Sequence, residues 1–270
     1  MKYIIPLLLL FGLSFYSCNN DPISTINEII PSGYSKINTI ESGGTKFELW
    51  SASGNGMFFG YNDIGFKVFI NGVEKTNGFV KFKPNMYHGG GGPGHSSPVS
   101  NSFLYDNNKG LFTGYACFIM ISDSSSFWYG SYNYNDASQI DSVLFYVNIL
   151  PANQMKIWDD IYGGYTYVLT LINPLSVVLG SNNFNCILHK TQDDKNYFEV
   201  DSAEMMIRPW MESHGHGSSN NTNPVWKGNG RYEGKAIFTM PGIWSVYDSI
   251  KINGVYITRT PPPFFSFNIY

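Results

Sequence analysis

Apolar residues along this chain recur mostly with a two-residue period, broken every few positions by Gly, Asn, Asp, Ser or Pro. That is the period of strands with one buried face. In the first part of the chain the pattern predicts strands near 45–51, 56–60, 66–71, 79–83, 101–105, 111–120 and 143–150. In the second it predicts strands near 164–172, 177–180, 184–190, 196–207, 231–240 and 243–257. Asn71-Gly72 and Thr76-Asn77-Gly78 punctuate one hairpin. No segment carries a 3.6-residue apolar stripe, although Pro151 to Asp160 has room for one helical turn. Six or seven short strands in about 100 residues suit an immunoglobulin-like sandwich. The expected fold is all-β, two tandem immunoglobulin-like β-sandwich domains.

The tandem arrangement rests on an internal repeat. Phe47-Glu48-Leu49 matches Tyr167-Val168-Leu169, Gly60-Tyr61-Asn62 matches Gly180-Ser181-Asn182, and Phe66-Lys67-Val68 matches Phe184-Asn185-Cys186. Pro84-x-Met86 matches Pro209-x-Met211, and Pro98 matches Pro224. Gly110-Leu111-Phe112-Thr113-Gly114 matches Gly230-Arg231-Tyr232-Glu233-Gly234. Phe118-Ile119-Met120 matches Phe238-Thr239-Met240, and Trp128 matches Trp244. The offset stays near 120 residues, as from Gly60 to Gly180. The expected parts are a signal peptide (1–17), a polar tether (18–43), a first sandwich (44–150), a linker (151–159), a second sandwich (160–258) and a stiff Pro-rich tail (259–270) with an edge strand to add.

Composition sharpens this picture. Aromatic residues make up 17% of the chain and charged ones 14%, a mix that favours strands and tight turns. A net charge of -3 offers no basic stripe for a nucleic acid, so no such partner is expected. Lys2 and the short apolar run Ile4 to Phe15 read as a targeting segment. The run leads to Ser17-Cys18 and resembles a bacterial lipoprotein signal, which implies cleavage before Cys18 and acylation of its sulfur. Tyr16 stands where a small residue is usual, and an ordinary secretory signal cut nearby is the alternative. Asn19 and Asn20 give no Asp retention signal, so the expected place is the outer membrane of a bacterial envelope, reached through the lipid anchor. Cys117 and Cys186 fall in different halves inside apolar patterns and read as buried small hydrophobes.

Candidate chemistry gathers in two loops. Each follows a strand ending in Pro-x-Met, and together they hold four of the five histidines. The first runs from Met86 and His88 through a Gly-rich stretch to His95; the second holds Met211, His214 and His216. Thioether plus imidazole is the ligand set of a soft metal ion, copper above all and Cu(I) in particular. Met86, His88 and His95 form one candidate site, and Met211, His214 and His216 the other, with Met120 and Met240 as candidate fourth ligands. The closer spacing of His214-x-His216 predicts the tighter site. The other reading is structural: methionine tucked into the end of each sandwich, histidine ordering the loop. Met120 and Met240, in apolar strands, also read as core, and His189 reads as a surface residue of a hairpin.

The ordered set Pro-x-Met, His-bearing loop, Pro, Gly-x-[Tyr/Phe]-x-Gly, Phe-x-Met and Trp resembles the YtkA-like/FixH-like immunoglobulin-type domain. The segment Gly230 to Trp244 carries it best, whereas Ser122 to Phe127 interrupts the first copy. The resemblance implies a sandwich fold in an envelope protein of the kind found near copper-handling systems. It implies fold more firmly than activity.

Enzymatic patterns are missing from the sequence. There is no Gly-x-Ser-x-Gly, His-Glu-x-x-His or Cys-x-x-Cys, and Gly89 to Gly94 lacks the strand, turn and helix of a phosphate cradle. Asp159-Asp160 and Asp193-Asp194 read as solvated turns. The expectation is a non-catalytic protein that buffers or delivers copper, with an envelope metal-transport or outer-membrane protein as partner. The competing expectation is a surface adhesion or glycan- and protein-binding module using Trp50, Tyr129, Tyr132, Tyr134, Trp210 and Trp226.

Overall fold

The computed structural model describes residues 31–270 except 55, 92–93, 149–154 and 175, so Cys18 and the targeting segment lie outside the described residues. Within these, every regular element is a strand. The main strands of the first half are β1 (Ser35–Ser42), β2 (Thr45–Ser51), β3 (Gly60–Ile70), β4 (Phe79–His88), β5 (Phe103–Asp106), β6 (Leu111–Phe118), β7 (Ser126–Tyr134) and β8 (Ser138–Phe145). Those of the second half are β9 (Met155–Asp159), β10 (Thr166–Asn173), β11 (Gly180–Thr191), β12 (Glu204–Met211), β13 (Thr222–Gly228), β14 (Arg231–Phe238), β15 (Gly242–Ile252) and β16 (Phe264–Ile269).

In the first half, the order β1-β2-β3-β6-β5-β4-β7-β8 folds over at β5, which pairs with β6 on one side and β4 on the other. One layer is β1-β2-β3-β6 and the other β4-β7-β8. The second half has separate layers, β9-β10-β11-β14-β13 and β12-β15-β16. Alternation drives the closure. In β7 every second residue from Ser126 to Tyr134 is buried, and in β16 the buried residues are Phe265, Phe267 and Ile269.

The halves repeat in register. Gly60 faces Phe118 and Asn62 faces Ala116; 120 residues on, Gly180 faces Phe238 and Asn182 faces Ala236. Asn62 closes a side-chain loop on Phe58 and Gly60, and Asn182 closes the same loop on Val178 and Gly180. Two sequence matches slip by two residues. The partner of Phe184 is Gly234 and that of Ile64 is Gly114, so Ile64, not Phe66, corresponds to Phe184. Phe47 likewise corresponds to Leu169 through its partner chain, not to Tyr167. A slip of two keeps the same face buried, so hydrophobic pattern alone does not detect it.

Three expected boundaries change. Ser35–Ser42, placed in the tether, pairs with β2 as an edge strand. Met155–Asp159, placed in the linker with its helical turn, pairs with β10. Phe264–Ile269, placed in the tail, pairs along β15 from Tyr247 to Gly242 and is buried on one face. Each is a short alternating segment beside Pro, Ser or Asn, whose composition looks like loop until a neighbouring strand supplies its hydrogen bonds.

The two sandwiches also pack on each other, sheet on sheet. Outward-facing Tyr61 of β3 and Tyr115 and Cys117 of β6 meet Met155, Val168 and Ile187 of β9, β10 and β11 in one buried cluster. The interior cysteines are free thiols, as their apolar settings predict, and burial pushes the Cys117 thiol up to about 12.

Candidate functional site

The two Pro-x-Met strands end at the same kind of corner. In β4, Pro84 faces Gly130 and Met86 faces Trp128; in β12, Pro209 faces Val246, which brings Met211 level with Trp244. Both methionines turn into the core, Met86 2% and Met211 0% exposed. Both tryptophans are buried, and each indole N–H donates to a methionine carbonyl: Trp128 to Met120 at 3.1 Å and Trp244 to Met240 at 3.0 Å. The backbone of each Phe-x-Met segment is thus pinned beside its corner. The Met120 side chain is 39% exposed and lies past the end of β6, not inside a strand, while that of Met240 packs against the second core.

Histidines sit on each tryptophan. His95 meets Trp128 edge-on with ring centroids 5.4 Å apart, and His88 lies 5.2 Å from His95. His216 meets Trp244 edge-on at 5.9 Å, and His214 lies 5.9 Å from His216. Nδ1 of His95 is 3.0 Å from the Ser96 carbonyl, and Nδ1 of His216 is 3.1 Å from the Gly217 carbonyl. A carbonyl only accepts, so both Nδ1 atoms carry the proton and each neutral ring keeps its Nε2 lone pair. The other two rings place Nδ1 against serine hydroxyls, His88 on Ser126 and His214 on Ser213. Nε2 of His95 is buried and has no hydrogen-bond partner among the described residues.

Loop anchoring differs between the corners. Gly89 donates to the Ser125 carbonyl, Met86 to the His95 carbonyl, and the Ser96 hydroxyl to the Pro84 carbonyl. The Ser96 N–H reaches across to the Asp194 carbonyl of the second half. The second loop is a tight turn closed by Met211, whose carbonyl accepts from His214 and Gly215; Gly215 takes a left-handed φ of 65°. His214 is exposed and His216 half-buried, whereas both His88 and His95 are half-buried.

The arrangement brings together the histidines of each predicted set and puts the methionine backbones beside them. An ion bound about 2 Å from each nitrogen holds two imidazole centroids within about 6 Å of each other. Both observed separations, 5.2 and 5.9 Å, meet that limit. Among the described residues no three His, Cys, Asp or Glu side chains gather as a metal cluster. Of these side-chain types, each corner therefore offers two imidazoles.

A further polar group escaped the sequence reading. His189, expected at the surface, is 1% exposed and lies at the junction between the halves. Its Nε2 is 2.9 Å from the Tyr115 hydroxyl, which donates to Glu199 at 2.6 Å. With the phenol proton given to the carboxylate, His189 Nε2–H is the donor, and its buried Nδ1 has no partner. Burial and the nearby Arg231 push the His189 pKa down to about 3. Arg231 donates to Tyr61, and Tyr61 to Asp63, both at 2.7 Å. Above this network opens a cleft of about 830 Å³ lined by Tyr34, Asp63, Tyr105, Lys109, Glu199 and Arg231, among others. The only trace in the sequence was Arg231 standing where the first half has Leu111. Asp193 caps the adjoining turn by accepting from the Lys195 and Asn196 N–H groups, which hold its carboxyl at about 2, in keeping with a solvated turn.

Of the aromatic residues offered for surface stacking, Trp50, Tyr132 and Tyr134 are buried. Tyr129 and Trp210 are half-buried, and Trp226 is 49% exposed with its N–H on Asp201.

Comparison with known proteins agrees on the second half. Residues 162–247 match the model of the YtkA-like family, which is what this part of the chain is similar to. No curated protein matches the chain. Among solved structures, the Escherichia coli adhesin FdeC is 13% identical with a TM-score of 0.27, covering 86% of this chain and 66% of that one. Domains 5–6 of the S-layer protein SbsC are 8% identical with a TM-score of 0.30, covering 86% and 98%. A conserved domain protein from Bacillus anthracis is 10% identical with a TM-score of 0.30, covering 89% and 93%. Superpositions this loose carry no argument about function.

Proposed function

We propose that this protein is a non-catalytic lipoprotein of the bacterial envelope that holds copper at two His/Met corners, for buffering or delivery. One observation carries the reading. At both corners a histidine seated on a buried tryptophan has Nδ1 fixed by a backbone carbonyl, and a second imidazole lies within reach of the same ion. Fixing one ring nitrogen so that the other ligates is how metal-binding histidines are oriented. The YtkA-like match supports an envelope setting. Cys18 supplies the anchor, with Met86, His88, His95, Met211, His214 and His216 as ligands and Met120 and Met240 in reserve. Titration with Cu(I) under reducing conditions tests this. Two equivalents should bind, one lost in His88→Ala plus His95→Ala and the other in His214→Ala plus His216→Ala. Unchanged stoichiometry in both double variants would remove the copper reading. For the anchor, Cys18→Ala protein that still partitions with membranes would count against lipidation.

A second reading, binding of a glycan or protein partner, draws support from the cleft between the halves and not from exposed aromatic residues. Carboxylates, an Arg, a Lys and three tyrosines line it, the chemistry of a hydroxyl-rich ligand. Retention of glycans without any metal effect would favour it.

A further inference from the structure

The cores of the two halves correspond position by position, and they part at two facing positions together. Register from Phe66 and Cys186 outward makes Ile40 of β1 the counterpart of Lys156 of β9. Register from the two tryptophans makes Tyr132 of β7 the counterpart of Asp248 of β15, opposite Phe82 and Ile207 respectively. The first half packs Ile40 and Tyr132 into its core. The second half puts an amine and a carboxyl in the same two places.

Asp248 is 0% exposed, on the inward face between Val246 and Ile250, and neither carboxyl oxygen has a hydrogen-bond partner among the described residues. An unpartnered buried carboxylate is far too costly to keep in a marginally stable fold. The Lys156 Nζ lies 5.4 Å from the Phe264 ring centroid and 5.8 Å from that of Phe265. Those rings begin β16, where the Asp248 N–H donates to the Pro263 carbonyl. Amine and acid therefore converge on one end of the β15–β16 ladder, among aromatic side chains. Burial raises the Asp248 carboxyl well above its ordinary range and lowers Lys156, and each feels the other's charge. Both shifts run toward the neutral acid and the neutral amine, the forms that condense.

We propose that Lys156 and Asp248 are a modification site at which the chain crosslinks itself through an amide bond. Lys156 Nζ bonds to Asp248 Cγ, and the bond from Cγ to its hydroxyl breaks. The departing hydroxyl takes one proton from the amine, and one water leaves; nothing is oxidised or reduced. Placement at one end of the same ladder, the acid buried and the amine half-buried, makes the two groups neighbours rather than solutes. The amide clips the first strand of the second half to its opposite layer and neutralises a buried acid together with a half-buried amine. It does not depend on the copper reading.

Peptide mapping of the full chain by tandem mass spectrometry, after denaturation and digestion, tests it. The expected result is a branched peptide containing Lys156 and Asp248, one water lighter than its two arms. Recovery of both arms separate and unmodified from the natural chain overturns the proposal, whatever the variants do. The double variant Lys156→Ile plus Asp248→Tyr places the first half's pair in the second. No branched peptide is expected from it, and a branch persisting there would also overturn the assignment.

Discussion

The two histidine corners contain the same parts at different depths. Each has a buried Trp, a core-facing Met, a histidine with Nδ1 on a backbone carbonyl and a second imidazole nearby. The first corner is held from outside itself: its loop is tied to the Asp194 turn of the other half, and His88 rests on Ser126. The counterpart of Ser126 is Gly242, so the second corner lacks that support, and His214 leans on its neighbour Ser213 instead. Local sequence builds both corners, and the junction between the halves makes one of them deep. The rings are closer at the first corner, and its buried Nε2 has no other partner. If copper binds as proposed, these differences lead us to expect tighter binding at the first corner, whereas the His214-x-His216 spacing points to the second.

The largest effect should come from the tryptophans. Trp128→Ala and Trp244→Ala should each cost about 3–5 kcal/mol in urea unfolding, because a fully buried indole is lost and a cavity left. If the corners are alike, the two losses should be similar, and each variant should weaken copper only at its own corner.

Acid should act next, and on the first corner through the junction. Unfolded His189 takes up a proton near pH 6.5, while the folded residue stays neutral down to about 3. Between those values the unfolded state binds more protons, so stability falls as pH falls through this window. Arg231, Tyr115 and Glu199 face the same imidazole, and the arginine reinforces the neutral form. His189→Gln should flatten the urea midpoint between pH 6 and 4, a range inside the roughly 6.5-to-3 window. An unchanged pH slope would mean that His189 is not the group responsible.

Gly242 offers a finer break. Its φ is +127°, and an added Cβ would stand 2.9 Å from Met211 Cε. Gly242→Ala should cost about 1–3 kcal/mol through backbone strain. Ser126→Ala, at the matching place, should cost at most about 1.5 kcal/mol for one hydrogen bond while loosening His88.

The smallest expected difference is in metal affinity. With one corner removed at a time, the first should hold Cu(I) about tenfold more tightly, the lower end of what second ligand-sphere support contributes. Both should weaken on acidification, since protonated imidazole does not ligate. Equal affinities would show that depth does not matter at these corners.

Much of this was legible in the chain. Period-two alternation carried the all-β fold, and Thr45–Ser51 and the start of β14 fall where the pattern places them. Gly-x-[Tyr/Phe]-x-Gly was visible because geometry demands it: Gly110 and Gly230 both take left-handed φ, and a Cβ on Gly234 would strike the Thr222 carbonyl. β7 was missed because Tyr, Ser, Asn and Gly look like loop until alternate residues are seen to be buried. The histidine pairs could be named from the loops, since residues so close in sequence stay close in space.

What tertiary structure alone decided involves groups far apart in the chain. Whether His189 is wet or dry depends on a sheet face some 70 residues away, since Tyr115 is 74 residues from it. The unpaired acid at Asp248 shows only when its register with Tyr132 is traced through two ladders. Alternation tells which face of a strand is buried against its own core. It does not tell whether the outer face meets water or a second sheet, because that is settled by long-range packing and not by local period.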